Sequence, residues 1–216
     1  MRLDVATIRE ALAGAVALPS LGSVIDVSQA RAAAVVVPLR LEPEPRVVLV
    51  LRGLHLKDHA DEVGFPGGKP EPADADLEAT ALREMDEELG VAAADVTILG
   101  SLMPVPVITG RYLIHPFVGV LSAGAAPRAA SAEIARVLEL PILPFVTGER
   151  RIAAIHGEWS GTVVFAPHFE VDGCVLYGAS AYIFYELLAR LASRLGRVMP
   201  PAEVQMEPPW GDRYAR

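Results

Sequence analysis

The chain has one cysteine, Cys174, in 216 residues. That excludes an internal disulfide framework and any zinc site built from cysteines, and it fits a reducing compartment. Excess positive charge is also absent, since 19 Lys and Arg face 27 Asp and Glu for a net charge of −8. Nucleic acid and anionic membrane surfaces are bound through clustered cations, so neither is an expected partner. No apolar run is long enough to span a bilayer. The stretches 11–25 and 96–110 carry no charge, but proline and glycine interrupt both, and a spanning helix needs about 20 apolar residues. Arg2, Asp4, Arg9 and Glu10 leave no purely positive leader region. A cytoplasmic location is the expectation.

What the chain does have is material for a core, at 52% hydrophobic and 21% charged. The length suits one domain with added elements. Asp4 can cap a short helix carrying Val5, Ile8 and Leu12 at helical spacing up to Gly14, and 15–28 reads as a connection. The Val-rich runs 32–41 and 46–52, split by Glu42-Pro43-Glu44-Pro45, predict strands. Leu77, Ala81, Leu82, Met85 and Leu89 share one helical face before Gly90, a helix and its C-cap. Further strands are expected over 96–103, 113–121, 136–140, 162–166 and 171–177, with Cys174 buried in the last. A final helix is expected over 179–195 and an irregular, proline-rich tail beyond it, in which Trp210 is a candidate anchor. The division is thus 1–30 as helix and connection, 31–196 as one α/β domain, and 197–216 as tail.

The segment Arg83-Glu84-Met85-Asp86-Glu87-Glu88-Leu89-Gly90 is the informative one. On a helix Glu84, Glu87 and Glu88 fall at i, i+3 and i+4, so three carboxylates share a flank beside the apolar face. Like charges at this spacing cost about 0.2–0.5 kcal/mol per pair, and such violations mark functional sites. A hard divalent cation resolves the repulsion, because Mg²⁺ takes carboxylate oxygens, keeps waters and completes its shell with substrate phosphates. Charge is concentrated here too: 58–88 holds eleven acidic and two basic residues. By itself the helix also fits a solvated acidic face relieved by Arg83.

With Gly67-Gly68-Lys69 and Asp74 upstream, the segment resembles the signature of the Nudix hydrolase superfamily. That pattern is a glycine, five residues, Glu, seven residues, then Arg-Glu-apolar-x-Glu-Glu-x-Gly-apolar. Arg83 to Val91 matches at every defined position. Asp74 stands in place of the early Glu, and the spacing from it to Arg83 is one residue longer. The segment Leu56-Lys57-Asp58-His59-Ala60-Asp61-Glu62-Val63-Gly64-Phe65-Pro66-Gly67-Gly68 is similar to that of the coenzyme A pyrophosphatase branch. Asp61 replaces a glycine of that branch and Lys57 an arginine.

The resemblance implies an α/β/α sandwich with a mixed sheet and a loop–helix unit. It implies hydrolysis of the diphosphate of coenzyme A or an acyl-CoA to 4′-phosphopantetheine and adenosine 3′,5′-bisphosphate. The alternatives are a Nudix hydrolase for ADP-ribose, NADH or a nucleoside triphosphate, and a non-catalytic ligand-sensing module. Mg²⁺ or Mn²⁺ would be held by Glu84, Glu87 and Glu88, with the Gly67 carbonyl as a further ligand. Glu84, Glu87 and Glu133 are the candidates for general base. Arg52, Lys57, His59, Gly68 and Lys69 would bind substrate, and Asp74 would pair with Arg83 to hold the loop on the helix. The partner implied is a small-molecule diphosphate, and the resemblance leaves room for a homodimer.

Overall fold

The computed structural model of the chain describes residues 3–18, 25–159, 162–209 and 211. Helix α1 (Val5–Ala13) starts where its cap predicts, with the Asp4 carboxylate accepting the Thr7 N–H at 2.8 Å. Strands β1 (Arg31–Arg40), β2 (Arg46–Arg52), β3 (Val63–Gly64) and β4 (Gly67–Gly68) lead to helix α2 (Leu77–Leu89). Then come β5 (Val96–Ser101), β6 (Val105–Pro106), β7 (Tyr112–Leu121), β8 (Ile134–Pro141) and the short helix α3 (Leu143–Thr147). Strands β9 (Ala153–Trp159), β10 (Thr162–Val171) and β11 (Cys174–Leu176), helix α4 (Gly178–Arg194) and strand β12 (Glu203–Gln205) complete the described elements.

Among the described residues the strands form one mixed sheet in the order β12-β9-β10-β11-β3-β2-β1-β7-β5, with β4 on β1, β6 on β7 and β8 on β2. The central strands β1 and β2 are apolar on both faces, the pattern of a sheet covered on two sides. Val37, Leu39, Val47, Leu49 and Leu51 face one layer, where Leu187, Leu188 and Leu191 of α4 and Ile8 of α1 pack. Ala34, Val36, Val48 and Val50 face the other, against Ala81, Met85 and Leu89 of α2. The fold is therefore the expected α/β/α sandwich. Each enclosed Val, Leu or Met contributes about 1.5–3 kcal/mol over its exposed state, so the sheet–α2 contact fixes where α2 points its carboxylates.

Some expected elements differ. The strand expected over 171–177 is broken: Val171 pairs with Cys174 across Asp172-Gly173, whose φ values are 47° and 78°. Asp-Gly between apolar runs is a hairpin signal, and the turn leaves Cys174 only partly buried. The tail is not wholly irregular. Strand β12 pairs in parallel with β9, and buried His168 meets the Gln205 Oε1 through its Nε2 at 3.1 Å. Trp210 lies outside the described residues. Among the described residues no helix is long and apolar enough to cross a membrane.

Candidate active site

Helix α2 is set by local chemistry. Asp76 caps it by accepting the Ala79 N–H at 2.8 Å, and Gly90 closes it in the left-handed conformation at φ 63°. Both ends follow ordinary capping rules. With Ala81, Met85 and Leu89 on the sheet, the flank carrying Glu84 and Glu88 lies against the glycine turn. Strand β4 is bonded to β1, with Gly67 opposite Val35 and Gly68 opposite Ala34. That pairing brings the turn so close that side chains are excluded. A Cβ on Gly67 would stand 2.3 Å from the Ala34 carbonyl oxygen, and one on Gly68 2.2 Å from Glu84 Oε1.

Glu88 is 6% exposed, and its Oε2 accepts the Gly67 N–H at 3.2 Å. Burial pushes its carboxyl up to about 7, against the opposing pull of the Gly67 N–H and of Arg52. Burial also raises Glu84, while Arg83, 3.1 Å away, opposes the shift. Glu87 is exposed and pairs with Arg83 at 3.2 Å. Arg83 binds Asp74 through Nε at 3.0 Å and Nη2 at 3.2 Å, and donates to the Lys69 carbonyl at 3.1 Å. The Asp74 carboxylate also accepts from the Glu71 N–H and the Thr80 hydroxyl, at 2.8 and 2.9 Å. The Arg83 hydrogen bond is the main reason its acidity is strengthened to about 2.

A second cluster adjoins the first. Arg52 donates to Glu133 at 2.8 Å and to Glu88 at 3.4 Å. It ends β2, while Glu133 immediately precedes β8, and Arg52 and Ile134 are register partners. The loop from β2 to β3 closes when Arg52 N–H donates to the Glu62 carbonyl at 3.0 Å. His59 and Asp61 both turn this loop with positive φ, 57° and 59°. The His59 Nδ1 lies 2.8 Å from Glu62, which raises the imidazole's proton affinity. Lys57 sits exposed on the same loop. The Lys69 ammonium rests 5.4 Å from the Tyr112 ring centroid.

The structure thus gathers Gly67, Gly68, Glu84, Glu88, Arg52 and Glu133 into one contact chain, with Asp74, Arg83 and Glu87 along its flank. Two links go beyond the sequence reading: the buried Thr80 hydroxyl on Asp74, and the bridge from Arg52 to both carboxylates. The first had a weak signal, a threonine one turn past a capping aspartate; the second had none. Among the described residues no three His, Cys, Asp or Glu side chains meet closely enough to enclose an ion unaided. The donors are nonetheless all hard oxygens, one carboxylate is buried, and the glycine turn leaves room only for backbone. That set fits Mg²⁺ or Mn²⁺, which take one or two carboxylates with waters and phosphates.

A mixed sheet between helices, with a glycine turn laid on an acidic helix, defines an α/β/α protein of the loop–helix carboxylate class. The chain belongs to the Nudix family, whose NUDIX domain model matches residues 30–154. It is similar to a Nudix hydrolase of Photorhabdus laumondii called NudL and described as uncharacterised. The two are 40% identical over 112 residues, which cover 52% of this chain and 59% of that one. NudL of an Escherichia coli strain is 39% identical over 112 residues, 58% of its length. The chain therefore spans less than two thirds of these curated relatives. The crystal structure of a MutT protein from Methanosarcina mazei has the same fold, with a TM-score of 0.50 at 15% identity, covering 80% of this chain and 100% of that one.

Proposed function

We propose that the chain is a divalent-cation-dependent hydrolase of nucleoside diphosphate derivatives, and that coenzyme A or an acyl-CoA is its substrate. The observation that carries this reading is the contact of two partly or fully buried carboxylates, Glu84 and Glu88, with the Gly67-Gly68 turn. Glu84 and Glu88, joined by Glu87 and the Gly67 carbonyl, would hold Mg²⁺ or Mn²⁺. A bound cation neutralises diphosphate charge as it shifts between oxygens.

The chain's own groups supply the rest. The Gly67-Gly68 turn, bare of side chains, sets backbone directly against Glu84 and Glu88, beside the place a cation-bound phosphate would take. Water adds to phosphorus while the bond from phosphorus to the bridging oxygen breaks. The water's proton passes to a carboxylate, and the second phosphate leaves with the bridging oxygen. Glu133 is the carboxylate assigned to the proton transfer, because Glu84 and Glu87 belong to the proposed cation set, whereas Glu133 stands outside it and is held beside Glu88 by Arg52. Lys57, His59 and Lys69 are the groups proposed to read the charged ends of the substrate.

The coenzyme A reading is supported by the 56–68 segment, whose left-handed His59 and Asp61 give the loop its tight path. The test is a Mg²⁺-supplemented panel of coenzyme A, acyl-CoAs, ADP-ribose, NADH and nucleoside triphosphates, with products identified by mass. Release of adenosine 3′,5′-bisphosphate from coenzyme A is expected. Turnover of ADP-ribose alone overturns the substrate assignment, and turnover of none overturns the hydrolase reading.

A further inference from the structure

Arg52 lies between two carboxylates that come from distant parts of the chain. Its Nη2 donates to Glu133 Oε2 at 2.8 Å and its Nη1 to Glu88 Oε1 at 3.4 Å. The Nε is buried without a partner, so the two terminal nitrogens make the side chain's polar contacts. The arms are unequal. Glu133 is also pinned through its backbone, its carbonyl accepting the Gly53 N–H at 2.7 Å and its N–H donating to Ser131 Oγ at 3.0 Å. A Cβ on Gly53 would meet the His55 ring at 2.6 Å and the Glu133 carbonyl oxygen at 3.4 Å, so this junction is tightly packed. The arm to Glu88 is longer, and Glu88 already has the Gly67 N–H on its other oxygen.

We propose that Arg52 is a positioning residue, not a substrate contact: it holds Glu133 beside Glu88 and competes with the cation for Glu88. This rests on the reading of Glu88 as a cation ligand and Glu133 as the base. A short charge-assisted contact backed by backbone bonds is the stronger arm; the long one is the arm a cation displaces. The same guanidinium places a positive charge next to the cation position and opposes its binding. Removing Arg52 therefore acts in opposite directions on two steps. Cation binding improves because a competitor is lost, and turnover falls because the base loses its anchor.

The experiment measures Mn²⁺ affinity without substrate by titration calorimetry at about pH 8.5, so that proton release from Glu88 does not mask the competition, and kcat and KM on the best diphosphate of the panel. The proteins are wild type, Arg52→Met, Arg52→Lys and Glu133→Gln. Arg52→Met is expected to bind Mn²⁺ about three- to tenfold more tightly while kcat falls about 10–100-fold and KM stays within about twofold. Arg52→Lys keeps the charge, so its Mn²⁺ affinity stays within about twofold of wild type and part of kcat returns. Glu133→Gln loses kcat without the gain in affinity. A folded Arg52→Met with unchanged or weaker Mn²⁺ affinity overturns the proposal, and so does a raised KM with kcat intact. If Arg52→Met fails to fold, Arg52→Gln is read against the same expectations. A wild type that binds Mn²⁺ but cleaves no diphosphate removes the functional reading, and the Mn²⁺ titration then decides the competition for Glu88 by itself.

Discussion

Gly68 and the Glu84 carboxylate occupy adjoining space, so closely that a Cβ at position 68 would stand 2.2 Å from Glu84 Oε1. The obstacle is the end of a flexible side chain, which can swing away. Gly68→Ala is therefore expected to change stability by less than about 1 kcal/mol while displacing Glu84 and lowering turnover about 10–100-fold. Gly67→Ala behaves oppositely, because its Cβ would meet the Ala34 carbonyl oxygen at 2.3 Å and the Val35 Cα at 2.7 Å. Paired backbone cannot yield cheaply, and a loss of about 2–3 kcal/mol is expected. Denaturant unfolding beside steady-state turnover separates the two.

The buried Glu88 carboxyl, raised to about 7, makes cation binding depend on pH. A cation needs the carboxylate, so below pH 7 it must first displace a proton. Affinity for Mg²⁺ or Mn²⁺ is expected to rise about tenfold from pH 6 to pH 8 and to level off above that. Calorimetric titrations at constant ionic strength measure it. The same titration of Glu88→Gln should be weaker and lose most of the slope.

Asp74 is held acidic, at about 2, by Arg83 and by the Glu71 N–H. A depressed carboxyl stabilises the fold above its unfolded value, near 3.8, and that contribution is lost as pH falls through the folded value. The stability difference between wild type and Asp74→Asn should be constant above about pH 5 and shrink steadily between pH 4 and pH 2. Thermal melts across that range check it, and a difference that grows toward pH 2 would contradict the pairing.

Local chemistry explains how much of this was readable in advance. Asp76, Gly90 and the spacing of Ala81, Met85 and Leu89 each mark α2 within the helix itself, so its limits and its acidic flank were legible. The Val runs of β1 and β2 gave a sheet buried on both faces. Asp61 reads as a departure where glycine is expected, yet its φ is 59°, and aspartate is among the few side chains that tolerate this region. The loop keeps its turn despite the exchange. The Asp172-Gly173 hairpin also had a local signal, hidden inside an apolar run. By contrast, β12 exists through its pairing with β9, some fifty residues away in sequence. The reach of Arg52 to Glu88 and Glu133 spans 36 and 81 residues. Such contacts follow from how the sheet stacks, and no local pattern encodes them.

The most direct measurement is Mg²⁺-dependent cleavage of coenzyme A by wild type and by Glu88→Gln, with products identified by mass and folding followed by circular dichroism. Wild type should release adenosine 3′,5′-bisphosphate and 4′-phosphopantetheine only when the cation is supplied. Glu88→Gln should keep its fold and lose about 10²–10³-fold in kcat, roughly 3–4 kcal/mol of barrier. A folded Glu88→Gln with turnover near wild type would contradict the carboxylate site.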